Sequence, residues 1–378
     1  MPGAYRRLVQ SIDSHTEGNS TRVITGGCRI PPGRTLLEEK RAWLWRHDDA
    51  LRRMLNFEPR GHGMMCSILL MTPCVEGADF SVIIMEQDEY VPMCGHCIIG
   101  TATTVVAMGM VEAKEPLTTV RIETPAGLVT CEVEVEDGRI GTVGFLNVDS
   151  FLLHQGAPVE VEGLGTLAVD IAYGGDFYAI VDADGLGLRL ASDNDAAMIE
   201  AARRIIKAVG AQLEIRHPER PDISRCYQTL FTSAEVTSGD LKQTIVCPPG
   251  SLDRSPCGTG TSARLAALYA KGEVGPGEPL CFEGVLGTCF SGTVVSPQQR
   301  GRILYVRPKV SGRADLTAST SSCSTPTTRY HKASASATRP AKHPIRRHGA
   351  DCRLDQPSGE DAFQLLHWRP PGSVRAVS

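Results

Sequence analysis

The chain has 378 residues, 42% hydrophobic and 22% charged, enough to bury a substantial core and to divide into two domains. A formal net charge of −4 leaves no basic field for nucleic acid or anionic lipid and favours small neutral or zwitterionic partners. Met1–Thr16 lacks the apolar core of a signal peptide and no apolar run reaches membrane-spanning length, so a cytoplasmic protein is expected. Its 13 irregularly spaced cysteines are expected as free thiols.

In chain order, Leu36 to Leu55 sets Leu37, Trp43, Leu44, Leu51 and Leu55 among charged residues at helical spacing and predicts one amphipathic surface helix. Phe80 to Met85 reads as a strand, His96 to Met108 as a helix, and Val120 to Ile122 and Gly127 to Val135 as strands. Further on come a strand at Phe177 to Val181, a helix at Asp193 to Val209, a strand at Thr244 to Cys247 and a helix at Gly260 to Lys271. Glycine-rich turns such as Gly174-Gly175 separate them, and the mixture is α/β (α+β) with many strands.

An internal repeat emerges when two Cys-Gly pairs are superposed. Cys94-Gly95 precedes a helical run that ends in Gly109-x-Val111; Cys257-Gly258 precedes a run of identical length that ends in Gly272-x-Val274. Each pair also follows a strand and a short polar loop. One supersecondary unit found twice predicts two similarly built domains, each presenting a cysteine at a helix start.

A cysteine in that position sits beside unpaired backbone N–H groups and the positive end of the helix dipole, which favours thiolate. The same N–H groups bind anions, so two such helix starts facing each other would grip a carboxylate. Stereoinversion at Cα needs one group to take a proton from one face while another supplies a proton to the other, and a coupled thiolate and thiol do this. Cys94 and Cys257 are therefore the candidate acid and base. Gly95, Gly258 and Gly260 serve turn geometry or close ligand approach, and Asp253 either caps a turn or binds an ammonium group. A competing reading takes Cys94-Gly95-His96-Cys97 as the CxxC of a thiol–disulfide oxidoreductase, but it lacks a thioredoxin-like context and leaves Cys257 unexplained. Zinc binding by Cys94, Cys97 and a nearby histidine lacks a second ligand pair at suitable spacing, so no metal is expected.

The segments Ile12-Asp13-Ser14-His15-Thr16-Glu17-Gly18, Glu58-Pro59-Arg60-Gly61-His62, Met93-Cys94-Gly95-His96, Gly174-Gly175-Asp176-Phe177-Tyr178-Ala179-Ile180 and Asp253-Arg254-Ser255-Pro256-Cys257-Gly258-Thr259-Gly260-Thr261 resemble the proline racemase family in order and spacing. The resemblance implies two pseudo-symmetric α/β domains with the active site in the cleft between them. The first domain would comprise residues 1–145, with 306–317 returning to it, and the second residues 146–305. It further implies Cys94 and Cys257 as alternating base and acid, the N–H groups of Gly95, His96, Gly258 and Thr259 around a carboxylate, Asp253 near the ring nitrogen, and no cofactor. The implied substrate is proline or a hydroxyproline, with a homodimer as the expected assembly. The family also contains 4-hydroxyproline 2-epimerases and trans-3-hydroxyproline dehydratases. The presence of both cysteines disfavours dehydration, and Cys97 and Gln228 are candidates for tuning the pocket.

After Thr317 the composition turns rich in Ser, Thr and Ala and then in Arg, Pro and His. Codons compatible with Ala318 to Pro326 can be read in the neighbouring frame as the family's usual ending. Residues 318–378 are therefore expected to be a frameshifted or disordered tail.

Overall fold

Side chains that alternate between core and solvent, as Thr118, Val120 and Ile122 do against Leu117, Thr119 and Arg121, dictate strands throughout the chain. The computed structural model describes residues 7–324. The strands of its first half are β1 (Arg7–Thr16), β2 (Asn19–Gly26), β3 (Cys66–Met71), β4 (Phe80–Met85), β5 (Leu117–Thr124), β6 (Gly127–Glu136) and β7 (Arg139–Leu146). After them come β8 (Ser150–Val161), β9 (Gly165–Tyr173), β10 (Phe177–Asp182), β11 (Cys226–Ser233), β12 (Leu241–Cys247), the two-residue β13 (Ser251–Leu252), β14 (Pro279–Glu283), β15 (Cys289–Arg300), β16 (Ile303–Gly312) and β17 (Ala314–Ser324). The helices are α1 (Ala42–His47), α2 (Asp49–Asn56), α3 (Gly95–Ala107), α4 (Asp195–Gln212) and α5 (Gly258–Lys271). Among the described residues no helix is long and apolar enough to cross a membrane.

The repeat in the sequence is a repeat in the topology. From β17 through β1 to β7, successive neighbours pair antiparallel, antiparallel, parallel, antiparallel, parallel, antiparallel and antiparallel. From β8 through β12 and β14 to β16 the same series recurs. The parallel steps are bridged by helices, α1–α2 and α3 in the first half, α4 and α5 in the second. β16 also pairs with β8, which closes the second set of strands around α5. β7 pairs with β16, whose continuation β17 pairs with β1, so the first set wraps α3 in the same way.

Both central helices are buried on every side: all residues from Gly95 to Val106, and from Gly258 to Ala267, lie in the core. Their hydroxyl side chains bond back to the helix, Thr104 Oγ1 to the Gly100 carbonyl at 2.7 Å and Ser262 Oγ to the Gly258 carbonyl at 2.9 Å. Each helix ends at a left-handed glycine, Gly109 at φ 66° and Gly272 at φ 75°, so the two sequence repeats match down to their caps.

Two sequence expectations shift. The single helix expected over Leu36 to Leu55 is a π-helical turn at Leu36–Arg41 followed by α1 and α2, with a break at Asp48, whose φ is −145°. The Asp48 carboxylate at this break accepts two hydrogen bonds from the Arg7 guanidinium, at 2.8 and 3.0 Å. At the other end, β17 runs through Ala318–Ser324 in antiparallel register with β1, from Ala318 opposite Asp13 to Ser324 opposite Arg7. The remainder of the expected tail lies outside the described residues.

Candidate active site

Cys94 and Cys257 are the N-cap residues of α3 and α5. The first intrahelical bonds are donated by Ile98 to the Cys94 carbonyl and by Thr261 to the Cys257 carbonyl, so the N–H groups ahead of them point out of each helix start. The two starts meet tip to tip. A β-carbon built on Gly95 would stand 2.5 Å from Gly258 Cα, and one built on Gly258 would stand 2.7 Å from Gly95 Cα. Only glycine at both positions allows this approach.

The cysteines reach this junction by different backbones. Cys94 is extended, with φ −145° and ψ 116°, whereas Cys257 has φ 66°, a left-handed conformation that costs a non-glycine residue about 1–3 kcal/mol. Neighbouring groups fix it: the Cys257 N–H donates to Ser255 Oγ at 3.1 Å, and the Gly260 N–H donates to Cys257 Sγ at 3.3 Å.

Both sulfurs line one cavity between the two halves of the fold. Asn19, Glu86, Met93 and His96 join Cys94 from the first half; Tyr178, Gln228, Asp253 and Thr259 join Cys257 from the second. The cavity is narrow, with about 20 Å³ of water-accessible space, near the room of one water. Of the residues expected from sequence, Cys94, His96, Asp253, Cys257 and Thr259 are in the wall, and Gly95 and Gly258 form the helix tips behind it. Gln228 is in the wall, its amide Nε2 donating to Asp176 Oδ2 at 2.9 Å. Cys97 is fully buried in the core behind His96, and Arg60 serves the fold by donating to the Met54 carbonyl at 2.7 Å.

Two wall residues, Tyr178 and Glu86, are not singled out by the sequence for any role. The Tyr178 hydroxyl lies 2.6 Å from Thr259 Oγ1 and 3.5 Å from Cys257 Sγ, which ties β10 to the start of α5. Tyr178 stands in the Gly174 to Ile180 motif, which is the signal available for it. Glu86 comes directly after the apolar run of β4 and lines the same cavity as Cys94.

The charge balance departs from the expectation that helix starts make thiolates. Burial, reinforced by the Asp253 carboxylate, pushes the Cys257 thiol up to about 12, against the pull of hydrogen bonds from Tyr178, Gly260 and Thr259. Hydrogen bonding to Cys66 and burial push Cys94 well above the ordinary thiol range. Desolvation in the cleft therefore outweighs the helix ends and holds both thiols above their ordinary range. Burial likewise raises Glu86 to about 8, Asp176 to about 7 and Asp253 to about 6, and lowers His96 to about 4, which leaves a neutral imidazole. Asp253 Oδ1 accepts from the Ser255 N–H at 2.9 Å and from Ser255 Oγ at 3.0 Å, which moderates its rise.

Two half-barrels related by pseudo-symmetry, each delivering a cysteine-capped helix to one cleft, define an α/β enzyme of two similar domains. The family model described as proline racemase matches residues 11–332, and the chain belongs to that family. The chain is 38% identical over 314 residues to the proline racemase of Clostridioides difficile, covering 83% of this chain and 93% of the relative. It is 41% identical over 312 residues to the 4-hydroxyproline 2-epimerase of Streptosporangium roseum, covering 82% and 93%. Its fold superposes with a TM-score of 0.80 on the crystal structure of a hydroxyproline epimerase from Agrobacterium vitis with bound trans-4-OH-L-proline, at 32% identity over 84% of this chain and 93% of that one. It is an enzyme of the isomerase class, as these racemase and epimerase relatives are.

Proposed function

We propose that this chain is a cofactor-independent proline racemase in which Cys94 and Cys257 exchange the Cα proton from opposite faces of the ring. The observation that carries this reading is that both cysteines cap buried helices whose tips touch, and that both sulfurs line the same cavity. The N–H groups of Gly95 and His96 on one side and of Gly258 and Thr259 on the other hold the substrate carboxylate. They also spread the negative charge that develops when Cα loses its proton. Asp253, ionised above about pH 6, faces the ring ammonium.

The raised thiol pKa values support the chemistry. A thiolate formed in a dry cleft is a stronger base than one in water, and the zwitterionic substrate brings the cation that offsets its charge. The resting pair then carries one proton between two sulfurs and titrates as a unit. Cys94 acting as base and Cys257 as acid inverts one enantiomer; the reverse assignment inverts the other.

A second reading, 4-hydroxyproline 2-epimerase, uses the same pair. It is favoured by Gln228 in the cavity wall, whose Oε1 among the described residues receives only the weak Cys247 thiol donor at 3.5 Å and keeps capacity for a substrate hydroxyl. No observation supports the oxidoreductase reading, since Cys97 is fully buried.

The test is incubation with L-proline and with trans-4-hydroxy-L-proline in deuterated water. Deuterium at Cα with inversion is expected for at least one of them, and Cys257→Ser should lower the rate by more than about 10³-fold, within the span of general acid–base contributions. Inversion that survives Cys257→Ser would overturn the two-base assignment, and comparing the two substrates decides between the readings.

A further inference from the structure

We propose that a cavity at the junction of β6, β9 and β16 is a second binding site, separate from the cysteine cleft, for a small monocarboxylate with a flat apolar body. It has about 250 Å³ of water-accessible space, against about 20 Å³ between the cysteines, and it shares no wall residue with that cleft. First-half residues of β6 and second-half residues of β9, β16 and the loop before β11 line it together. Such a position, where two halves of a fold meet, is a common place for small-molecule sites. The site is independent of any chemistry at Cys94 and Cys257.

The charges around this cavity leave one guanidinium unbalanced. Arg300 donates to Glu219 at 2.9 and 3.1 Å and also to Asp149, whose other oxygen accepts from Arg307 Nε at 3.0 Å. Both wall carboxylates are thereby taken. Among the described residues the Arg220 guanidinium meets no carboxylate and donates only to the Pro125 carbonyl, at 3.0 Å. A β-carbon built on Gly127, whose φ is 137°, would stand 3.2 Å from Arg220 Nη2, so glycine keeps the space in front of that nitrogen clear. One negative charge balances Arg220; a second would be repelled by Asp149 and Glu219.

Two further groups in the wall lack an acceptor. Tyr173 is 1% exposed, and its hydroxyl is buried without a hydrogen-bond partner. His217 stands edge-on to it, with ring centroids 4.6 Å apart. The His217 Nδ1 accepts from the N–H groups of Glu219 and Arg220, each at 3.1 Å, which places the imidazole proton on Nε2. That donor has no hydrogen-bond acceptor among the described residues. Burial and then the Arg220 charge lower His217 to about 4 and keep the ring neutral. A carboxylate suits this set, because the planar guanidinium fork pairs with two oxygens at once and the neighbouring donors add to it. The ligand's body meets an apolar wall of Val148 and the rings of Tyr173 and Tyr305, both packed on Phe151 with centroids 5.3 and 5.1 Å away.

The experiment titrates the full chain with benzoate at constant ionic strength, read by calorimetry and by NMR, with acetate and inorganic phosphate as comparison anions. The expected result is one benzoate per chain, bound at least about tenfold more tightly than either comparison anion, with nuclear Overhauser contacts from its ring to the Leu128 and Val148 methyl groups. Arg220→Gln should weaken binding more than about tenfold, as the loss of a charge-assisted pair does. Because Arg220 also holds the Pro125 carbonyl, Arg307→Gln gives a second reading: it removes a positive charge from the wall, leaves that bond in place and should weaken benzoate at least about threefold. Benzoate contacts to the Met93 methyl group instead would put the ligand in the cysteine cleft and overturn the second site. Affinity unchanged in both arginine variants overturns it as well, and phosphate binding as tightly as benzoate overturns the carboxylate assignment.

Discussion

Gly95 and Gly258 press their α-carbons together at the point where the two half-barrels join, closer than any side chain would permit. The contact is between backbones, so no rotamer can relieve an added atom there.

Gly95→Ala should therefore force the helix tips apart. Overpacking of this kind costs about 1–3 kcal/mol. The same displacement also separates the two sulfurs from one substrate. The expected outcome is a lowered denaturation midpoint with a loss of turnover larger than the loss of folded protein. Retention of parental turnover by folded Gly95→Ala would show that the junction does not set the distance between the catalytic groups.

Tyr178→Phe probes the second half of the pair. Its hydroxyl hydrogen-bonds Cys257 and Thr259, and the bond to Cys257 is among those that hold the thiol below what burial alone would give. Removing it should raise the Cys257 pKa further and lower kcat/KM by about tenfold, the equivalent of one pKa unit, with the alkaline-side profile moved upward. A pH–rate profile measured in both directions of the reaction checks this; an unmoved profile would reduce Tyr178 to packing.

Much of this site is legible in the sequence, for a physical reason. β4 is readable at its full bounds, Phe80–Met85, because a short apolar run between polar turns has few other solutions. The starts of α3 and α5 are readable because a Cys-Gly pair and a capping glycine recur at matched spacing. Glu86 and Tyr178 are not, since a carboxyl after a strand or a tyrosine within one acquires its role only from what the opposite half brings near. Cys66 shows the limit most clearly: nothing in its surroundings in the sequence announces His96 and Cys97 as neighbours, and only the pairing of β3 with β2 and β4 carries it there. Asp48, at the helix break, pairs with Arg7, far away in the chain, a contact that helical periodicity cannot register.

Glu86 gives the fold a pH dependence of definite sign. Its carboxyl is raised from 4.5 to about 8, chiefly by burial and then by the Asp176 and Asp253 charges. Between these values the native state holds a proton that the unfolded chain has released, so stability falls as pH rises through this window. Below about pH 4.5 both states are protonated and the effect vanishes; above about pH 8 it is fully developed. Glu86→Gln should match the parent chain at pH 4 and exceed it in stability by more than about 1 kcal/mol at pH 9, read from denaturant midpoints. A difference that is constant with pH would mean that the carboxyl is not held neutral in the native protein.

β17 makes a prediction about the unusual end of the chain. Its Ser- and Thr-rich residues pair with β1 through backbone bonds, which need no apolar side chain, and Ser11 Oγ meets Thr320 Oγ1 at 2.7 Å across the ladder. β1 in turn packs on α3, the helix that Cys94 caps, as β17 does. A chain ended after Gly312 loses this strand, exposes the edge of β1 and uncovers one side of α3; a chain ended after Ser324 keeps both contacts. The shorter chain should unfold or aggregate, while the longer one retains a cooperative transition and Cα exchange activity. Equal stability of the two would mean that β17 contributes nothing to the first half of the fold.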